Sequence, residues 1–196
     1  CVGWCVWCVS WAGGLGGAGR GSSSGMDLSD EHALQALSKS LLPALDRQSL
    51  EPDLTKKPHL PRAGEGGGEG AVAITNPADR RDIAGHVPNA RAADVDRALQ
   101  DATTLAPTWA NTPPQERAAA LQRAADALQA DMPRLMGLLV REAGKTYANA
   151  VAEVREAVDF LRFYAAQAAA QFDNATHVPL GPVVCISPWN FPIAIL

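Results

Sequence analysis

The chain has 196 residues, which is enough for one domain, or most of one, with a core of useful size. Its apolar fraction of 47% is ordinary for a globular protein. The net charge of -4 gives no basic surface for nucleic acid and no polybasic patch for a membrane. No apolar run approaches the roughly 20 residues that a transmembrane helix needs. The sequence therefore predicts neither a nucleic-acid partner nor a transmembrane segment.

The four cysteines are unevenly placed: Cys1, Cys5 and Cys8 crowd the start, and Cys185 stands alone near the end. A secreted disulfide-rich fold spreads its cysteines through the chain, and this sequence does not. Structural zinc takes four ligands at regular spacing, whereas only three thiols lie together here and no histidine follows them nearby. We therefore expect no metal site.

Residues 1–25 are rich in Gly, Ser, Trp and Cys and show no periodicity. They include no initiating Met and no basic segment, and glycines interrupt their apolar run. The stretch does not resemble a secretory signal, so we expect a cytoplasmic protein. The first methionine is Met26, and the simplest hypothesis is that residues 1–25 are disordered and not part of the native product.

Residues 26–70 are predicted to form a short helix followed by a linker rich in Pro and Gly. Ser29 is the expected N-cap of the helix, which leucines at helical spacing mark within residues 27–47 (Leu34, Leu37, Leu41 and Leu45). Residues 48–70 hold prolines and a Gly-Glu run, and have too few apolar side chains to offset the entropy of ordering.

From Ala71 onward the patterns predict ordered structure. Residues 71–74 form a short apolar run that is typical of a strand, and the cluster Asn-Pro-Ala-Asp at residues 76–79 is typical of a turn. Apolar side chains then recur at helical spacing (Val95, Leu99, Ala102 and Leu105).

Several helix starts follow. Residues 112–115 (Thr-Pro-Pro-Gln) predict a start in which the threonine caps the helix, the first proline takes the first helical position, and the glutamine completes a capping box. Asp131 and Pro133 restart the helix, so that three leucines face inward (Leu135, Leu138 and Leu139). The longest helix is predicted from about Thr146 to Phe172, with one apolar stripe and with charged residues on its other faces (Val151, Val154, Val158, Leu161, Ala165 and Ala168; Glu153, Arg155, Glu156 and Arg162).

The period changes near residue 183. Residues 183–186 (Val-Val-Cys-Ile) form a continuous apolar run of the kind that is buried in a parallel sheet. Residues 187–190 predict a turn, and residues 191–196 predict a helix with a proline in its first turn. This order of elements predicts an α/β nucleotide-binding layer. Because one strand and half a helix cannot bury their own apolar faces, we expect the chain to be an incomplete part of a domain.

The segment Pro188-Trp189-Asn190-Phe191-Pro192 resembles the aldehyde dehydrogenase superfamily, in which such a segment follows the first strand of the dinucleotide-binding domain. Further blocks in family order extend the resemblance over roughly residues 72–196 (76–79, 112–117, 141–146, 152–160 and 179–192). They are most similar to the L-glutamate γ-semialdehyde (1-pyrroline-5-carboxylate) dehydrogenase domain of the bacterial bifunctional proline utilisation (PutA) family. The resemblance implies a truncated aldehyde dehydrogenase-like α/β fold. Residues 71–196 would supply its N-terminal helical segment and the first strand of its dinucleotide-binding sheet.

The resemblance also implies a reaction. In this family a cysteine thiolate attacks the aldehyde carbon, hydride leaves for the nicotinamide of NAD, and water then releases the acid. Asn190 would supply a side-chain amide to the oxyanion; the alternative is a turn residue that caps the next helix. The four residues before it would line the cofactor cleft, or alternatively would be core strand and turn (Ile186, Ser187, Pro188 and Trp189).

The other catalytic groups are expected outside this sequence. Cys185 lies in an apolar run, where we expect a small apolar side chain and not the nucleophile. The resemblance places the nucleophilic cysteine and the general-base glutamate beyond Leu196, so we expect the chain alone to be inactive. It also implies that the parent protein is a homo-oligomer acting on a small-molecule aldehyde, with FAD only in a separate proline dehydrogenase domain.

Other functions stay open at this point. One is a dehydrogenase for another aldehyde, such as succinate semialdehyde. A second is a non-catalytic helical interaction module, although such a module has no need of a buried strand that leads into Asn190. A third treats residues 1–70 as a disordered binding tail. Glu142 and Lys145, which lie between helices, are expected to be solvated or to cap helices.

Overall fold

The computed structural model describes residues 23, 26, 28–45 and 71–195. The helices in these ranges are α1 (Glu31–Leu45), α2 (Ala92–Asn111), α3 (Pro114–Ala130), α4 (Met132–Ala143) and α5 (Tyr147–Gln171). Strands β1 (Ala71–Thr75) and β2 (Ile83–Pro88) come between α1 and α2. The linker predicted at residues 48–70 lies outside the described residues.

β1 and β2 form an antiparallel hairpin. At its turn, the side-chain oxygen of Asn76 accepts a hydrogen bond from the Ala78 N–H at 2.9 Å, and the Asn76 N–H donates to the Asp82 carbonyl at 2.9 Å. This confirms the strand and the turn predicted at residues 71–79. The return strand β2 was not predicted, because its sequence contains Gly and Pro, which are depleted in strands.

The core lies where α5 packs along α3 and against α4, and where α1 covers α4. The apolar stripe predicted for α5 is confirmed: Val154 and Val158 are 0% and 1% exposed. Val154 shares one apolar cluster with residues of α1 and α4 (Leu37, Leu41, Met136 and Leu139). The buried side chains that α3 and α5 share are small, which allows close helix packing (Ala118, Ala125, Ala157 and Ala165). The predicted apolar face of α5 therefore lies in the core, as expected.

The boundary between α4 and α5 follows its sequence signals. Gly144 ends α4 in the left-handed conformation, with φ 64°, and a Cβ there would lie 2.8 Å from the Pro77 side chain. Thr146 caps α5, because its hydroxyl oxygen accepts a hydrogen bond from the Asn149 N–H at 3.2 Å. The chain therefore turns sharply at Gly144, beside the hairpin turn.

The capping box predicted at residues 112–115 is wrong. Helix α3 begins at Pro114, one residue later than predicted, and its N-cap Pro113 makes no side-chain cap. Thr112 instead ends α2, where its hydroxyl donates to the Thr108 carbonyl at 3.0 Å. The two helices are so close in sequence that the preceding helix uses the threonine.

Helix α2 is formed as predicted, but it has no buried residue. It packs against no other helix or strand of the described ranges. Its apolar stripe, including Val95 and Leu99, stays exposed. A groove of about 430 Å³ runs between α2 and residues 182–184. The apolar face of α2 is therefore not covered by the part of the chain that the structure describes.

The strand predicted at residues 183–186 is wrong, as is the helix predicted from residue 191. Residues 182–188 belong to no strand, and Val183, Val184 and Ile186 are 69%, 75% and 92% exposed. Cys185 is exposed too, so the expectation that it is buried also fails. A parallel strand needs paired neighbours and cover on both faces. The described residues offer only β1 and β2, which pair with each other.

Ser23 lies within the range expected to be disordered, and the structure places it in a buried position, 6% exposed. Its N–H and its hydroxyl donate to the two carboxylate oxygens of Asp159 on α5, at 2.8 and 3.0 Å. Arg155 donates to the Ser23 hydroxyl oxygen at 3.3 Å. The expected disorder therefore does not extend to Ser23. The other residues of 1–25 lie outside those described.

Candidate functional site

Residues 188–195 form a turn that is anchored on one side. The Phe191 N–H donates to the Pro188 carbonyl at 3.2 Å. Ala194 is 7% exposed, and Ile193 packs against the apolar cluster of α1, α4 and α5. Asn190 is exposed at the tip of the turn. The tip therefore faces solvent, while the C-terminal side of the turn is fixed on the helices.

A buried carboxylate on α5 holds this turn. The Glu153 side chain is 2% exposed, and its Oε1 accepts a hydrogen bond from the Ile193 N–H at 2.9 Å. Its Oε2 pairs with Nζ of Lys145, whose side chain is 16% exposed. The same Nζ lies 4.9 Å from the centre of the Phe191 ring, in a cation–π contact. One ion pair therefore contacts the turn at both residue 191 and residue 193.

These contacts were not predicted. Lys145 was expected to be solvated or to cap a helix, and Glu153 was placed on a polar face of its helix. Both expectations are wrong, whereas Glu142 is exposed as expected. A signal was present in the sequence: Ala150 and Ala157 share the helical face of Glu153, and they are 0% and 4% exposed. An acidic residue between two alanines at helical spacing lies on a buried face here.

Burial raises the pKa of the Glu156 carboxyl, one turn along α5 from Glu153. The negative charge of Glu153 raises this pKa further, and the positive charge of Lys145 opposes the shift. Oε1 of Glu156 is buried without a hydrogen-bond partner in the described part of the chain. The charged form of Glu156 is therefore disfavoured in the folded protein.

Replacing Glu156 by glutamine will make the chain more stable at neutral pH. Because the folded-state pKa is raised, the folded state binds more protons than the unfolded state between the ordinary and the raised pKa. The stability of the unsubstituted chain therefore falls as pH rises through that window, and Glu156→Gln removes this fall. Urea unfolding at several pH values, from about pH 4 to pH 7, measures the difference. Glu142→Gln, an exposed residue, is the control; an advantage of Glu156→Gln that is equally large at every pH would contradict the expectation.

The predicted site residues form one consecutive segment of the chain, residues 186–190. Within the described residues, the Asn190 carboxamide has no hydrogen-bond partner, so its N–H groups are free to donate. The predicted cofactor residues precede it in a mostly exposed segment that belongs to no helix or strand (Ile186, Ser187, Pro188 and Trp189). They supply at most one wall of a cofactor site.

Among the helices that the structure describes, none combines the length and the apolarity that crossing a membrane requires. Within the same ranges, no three His, Cys, Asp or Glu side chains gather as metal ligands would.

Comparison with known proteins places this arrangement in a family. Residues 65–196 match the family model described as "Aldehyde dehydrogenase family". The chain belongs to the aldehyde dehydrogenase family. This confirms the resemblance that the motif blocks around residues 76–192 indicated.

Relatives within the aldehyde dehydrogenase family match at different levels. The bifunctional protein PutA of Klebsiella aerogenes is 54% identical over 182 residues, which cover 92% of this chain and 13% of that protein. The alpha-ketoglutaric semialdehyde dehydrogenase of Bacillus subtilis is 35% identical over 136 residues, or 63% of this chain and 28% of that protein. The chain therefore spans only a small part of the length of the curated relatives that it matches.

A solved structure shows the same fold. The 1-pyrroline-5-carboxylate dehydrogenase from Thermus with bound NAD superposes with a TM-score of 0.70 at 26% identity. The match covers 90% of this chain and 36% of that one. This confirms a truncated aldehyde dehydrogenase-like fold. The described residues do not form the strand that was expected at residues 183–186.

Proposed function

We propose that this chain is the N-terminal part of an NAD-dependent dehydrogenase domain that oxidises L-glutamate γ-semialdehyde to L-glutamate in proline catabolism. The observation that carries the proposal is the 54% identity to PutA over 182 residues. The fold match to a 1-pyrroline-5-carboxylate dehydrogenase with bound NAD supports both the substrate and the cofactor.

A dehydrogenase for a different aldehyde is not favoured. The 35% identity to an alpha-ketoglutaric semialdehyde dehydrogenase is a resemblance at the level of the family. The match to PutA is both longer and more similar, and it includes residues outside the dehydrogenase family model. A non-catalytic helical module would have no use for an anchored turn that leaves the Asn190 carboxamide free.

Asn190 is proposed to donate a hydrogen bond to the oxyanion that forms when a thiolate attacks the aldehyde carbon. Its free carboxamide, on a turn fixed by Glu153, supports this role. Ile186, Ser187, Pro188 and Trp189 are proposed as one wall of the cofactor site, and NAD supplies the hydride acceptor when it is bound.

The remaining groups are proposed to come from parts of the domain outside this sequence. They are the nucleophilic cysteine and the general-base glutamate. The parent protein is proposed to be a cytoplasmic homo-oligomer that carries FAD only in a proline dehydrogenase domain.

A chimera tests the proposal. In it, this chain replaces the matching 182 residues of Klebsiella aerogenes PutA, and NADH formation is followed with 1-pyrroline-5-carboxylate, which hydrolyses to the semialdehyde. We expect the chimera to be active and to prefer this substrate to succinate semialdehyde, and the 196-residue chain alone to form no NADH. A folded chimera without this activity, or one that prefers succinate semialdehyde, would refute the proposal.

The same chimera tests whether residues 183–186 become a strand when the rest of the domain is present. Cys185 is exposed in this chain, so a thiol reagent will modify it rapidly. In the chimera, pairing and burial should slow the modification by at least about tenfold, since a buried thiol reacts only after local opening. Mass spectrometry of the peptide that carries Cys185 measures both rates. Equal rates would show that these residues stay extended and exposed.

A further inference from the structure

We infer that Glu153, held in place by Lys145, is a positioning residue for Asn190. The ion pair fixes the turn that carries the Asn190 carboxamide, and through it the direction in which this donor points. The inference rests on the role proposed above for Asn190, and it assigns a function to two residues that lie behind the turn.

Glu153 is itself held firmly in place by its surroundings. Glu153 lies on α5, a helix of 25 residues, between side chains that are fully buried (Ala150 and Val154, both 0% exposed). Its own side chain is 2% exposed and is held between Lys145 Nζ and the Ile193 N–H. Neither carboxylate oxygen is therefore free to change partner without breaking a buried contact.

Only a short stretch of chain separates Asn190 from the residues that Glu153 and Lys145 contact. Ile193 follows Asn190 by three residues, which even when fully extended span at most about 11 Å. Phe191, the residue next to Asn190, has its ring under the Lys145 ammonium at 4.9 Å. Besides these contacts, the turn has the Phe191–Pro188 hydrogen bond and the packing of Ile193 and Ala194. Loss of the carboxylate would leave the apolar packing and remove the hydrogen bond between Glu153 and the Ile193 N–H.

The energetics of buried ion pairs indicate that the Lys145–Glu153 pair orients the turn more than it stabilises the fold. Removing two charges from water costs several kcal/mol per ion, and the attraction of a buried pair often does no more than offset that cost. An apolar pair of similar volume would often hold α5 and the segment before it together as well as the ion pair does. The carboxylate differs from an apolar side chain in that it accepts a hydrogen bond from one particular backbone N–H, that of Ile193. It therefore selects one conformation of the turn.

The experiment uses the active chimera and compares kcat and KM for the semialdehyde. Glu153→Ala removes the acceptor, Glu153→Gln keeps an oxygen near the Ile193 N–H, and Lys145→Met removes the counter-charge. Glu116→Gln, an exposed acidic residue in the first turn of α3, is the matched control. Each variant is made with Asn190 present and with Asn190→Ala.

We expect Glu153→Ala to lower kcat by about 10- to 100-fold with little change in KM, because a displacement of about 1 Å at a catalytic group can cost this much. Glu153→Gln should recover much of the loss, and Glu116→Gln should have no effect. In the Asn190→Ala background, Glu153→Ala should cost little more, because the donor that it positions is already gone.

An equal loss of kcat with and without Asn190 overturns the inference, since it would mean that Glu153 acts only on the stability of the fold. A change in KM alone overturns it as well. If Glu153→Ala does not fold, as judged by circular dichroism, Lys145→Met decides by the same two criteria. An inactive chimera with both residues intact would refute the proposed function itself and is thus a distinct result.

Discussion

Replacing Asn190 by alanine in the chimera will lower kcat for the semialdehyde by about 10²–10³-fold, the usual cost of losing one donor to an oxyanion. The carboxamide sits at the tip of an anchored turn and has no hydrogen-bond partner in the described residues, so it is free to meet charge that forms on a substrate. Because that charge is present in the transition state and not in the ground state, KM should change little. Steady-state NADH formation measures both constants.

Two further variants show which property of Asn190 matters. Asn190→Asp keeps the size of the side chain but removes the N–H donor and adds a negative charge, so it should be at least as damaging as alanine. Asn111→Ala, an exposed asparagine at the end of α2, should leave kcat unchanged. If Asn190 merely capped a helix, Asn190→Ala would lower the stability and spare kcat; that result would contradict the catalytic role.

Those parts of the fold that depend on local sequence could be predicted. The stripe of α5 gave the correct buried face at Val154 and Val158, because helical periodicity alone decides which side chains share a face. The turn at Asn76 was found because its hydrogen bonds are made within a few residues. The motif around Asn190 identified the family, since short blocks in a fixed order are specific even without a structure.

The predictions that were wrong concern residues whose structure depends on partners distant in the chain. The apolar run at residues 183–186 has a strand-like sequence, but a parallel strand exists only when neighbouring strands pair with it, and the described residues provide none. The expected exposure of Glu153 and Lys145 was wrong for a similar reason. Both contact residues 191–193, which lie about 40 positions beyond Glu153 and fold back onto α5.

Replacing Arg141 by alanine will lower the free energy of unfolding of the 196-residue chain by about 3 kcal/mol or more. Arg141, in the last turn of α4, has a side chain that is 6% exposed. Its guanidinium donates to both carboxylate oxygens of Asp82, at 2.7 and 3.2 Å, and to the Ile83 carbonyl at 3.2 Å. This contact joins the hairpin to the helices, and alanine would remove a two-pronged guanidinium contact from the Asp82 carboxylate, whose side chain is only 20% exposed.

Urea unfolding followed by circular dichroism measures the loss, and Arg134→Ala on the same helix is the matched control. The ion pair of Arg134 with Asp131 is exposed, so its removal should change the free energy of unfolding by less than about 1 kcal/mol. The double variant Arg141→Met with Asp82→Leu should recover much of the stability, because apolar side chains of similar volume often replace a buried ion pair at little cost. If Arg141→Ala were as mild as Arg134→Ala, the hairpin would be held to α4 by its apolar contacts, and the buried pair would add nothing to the attachment.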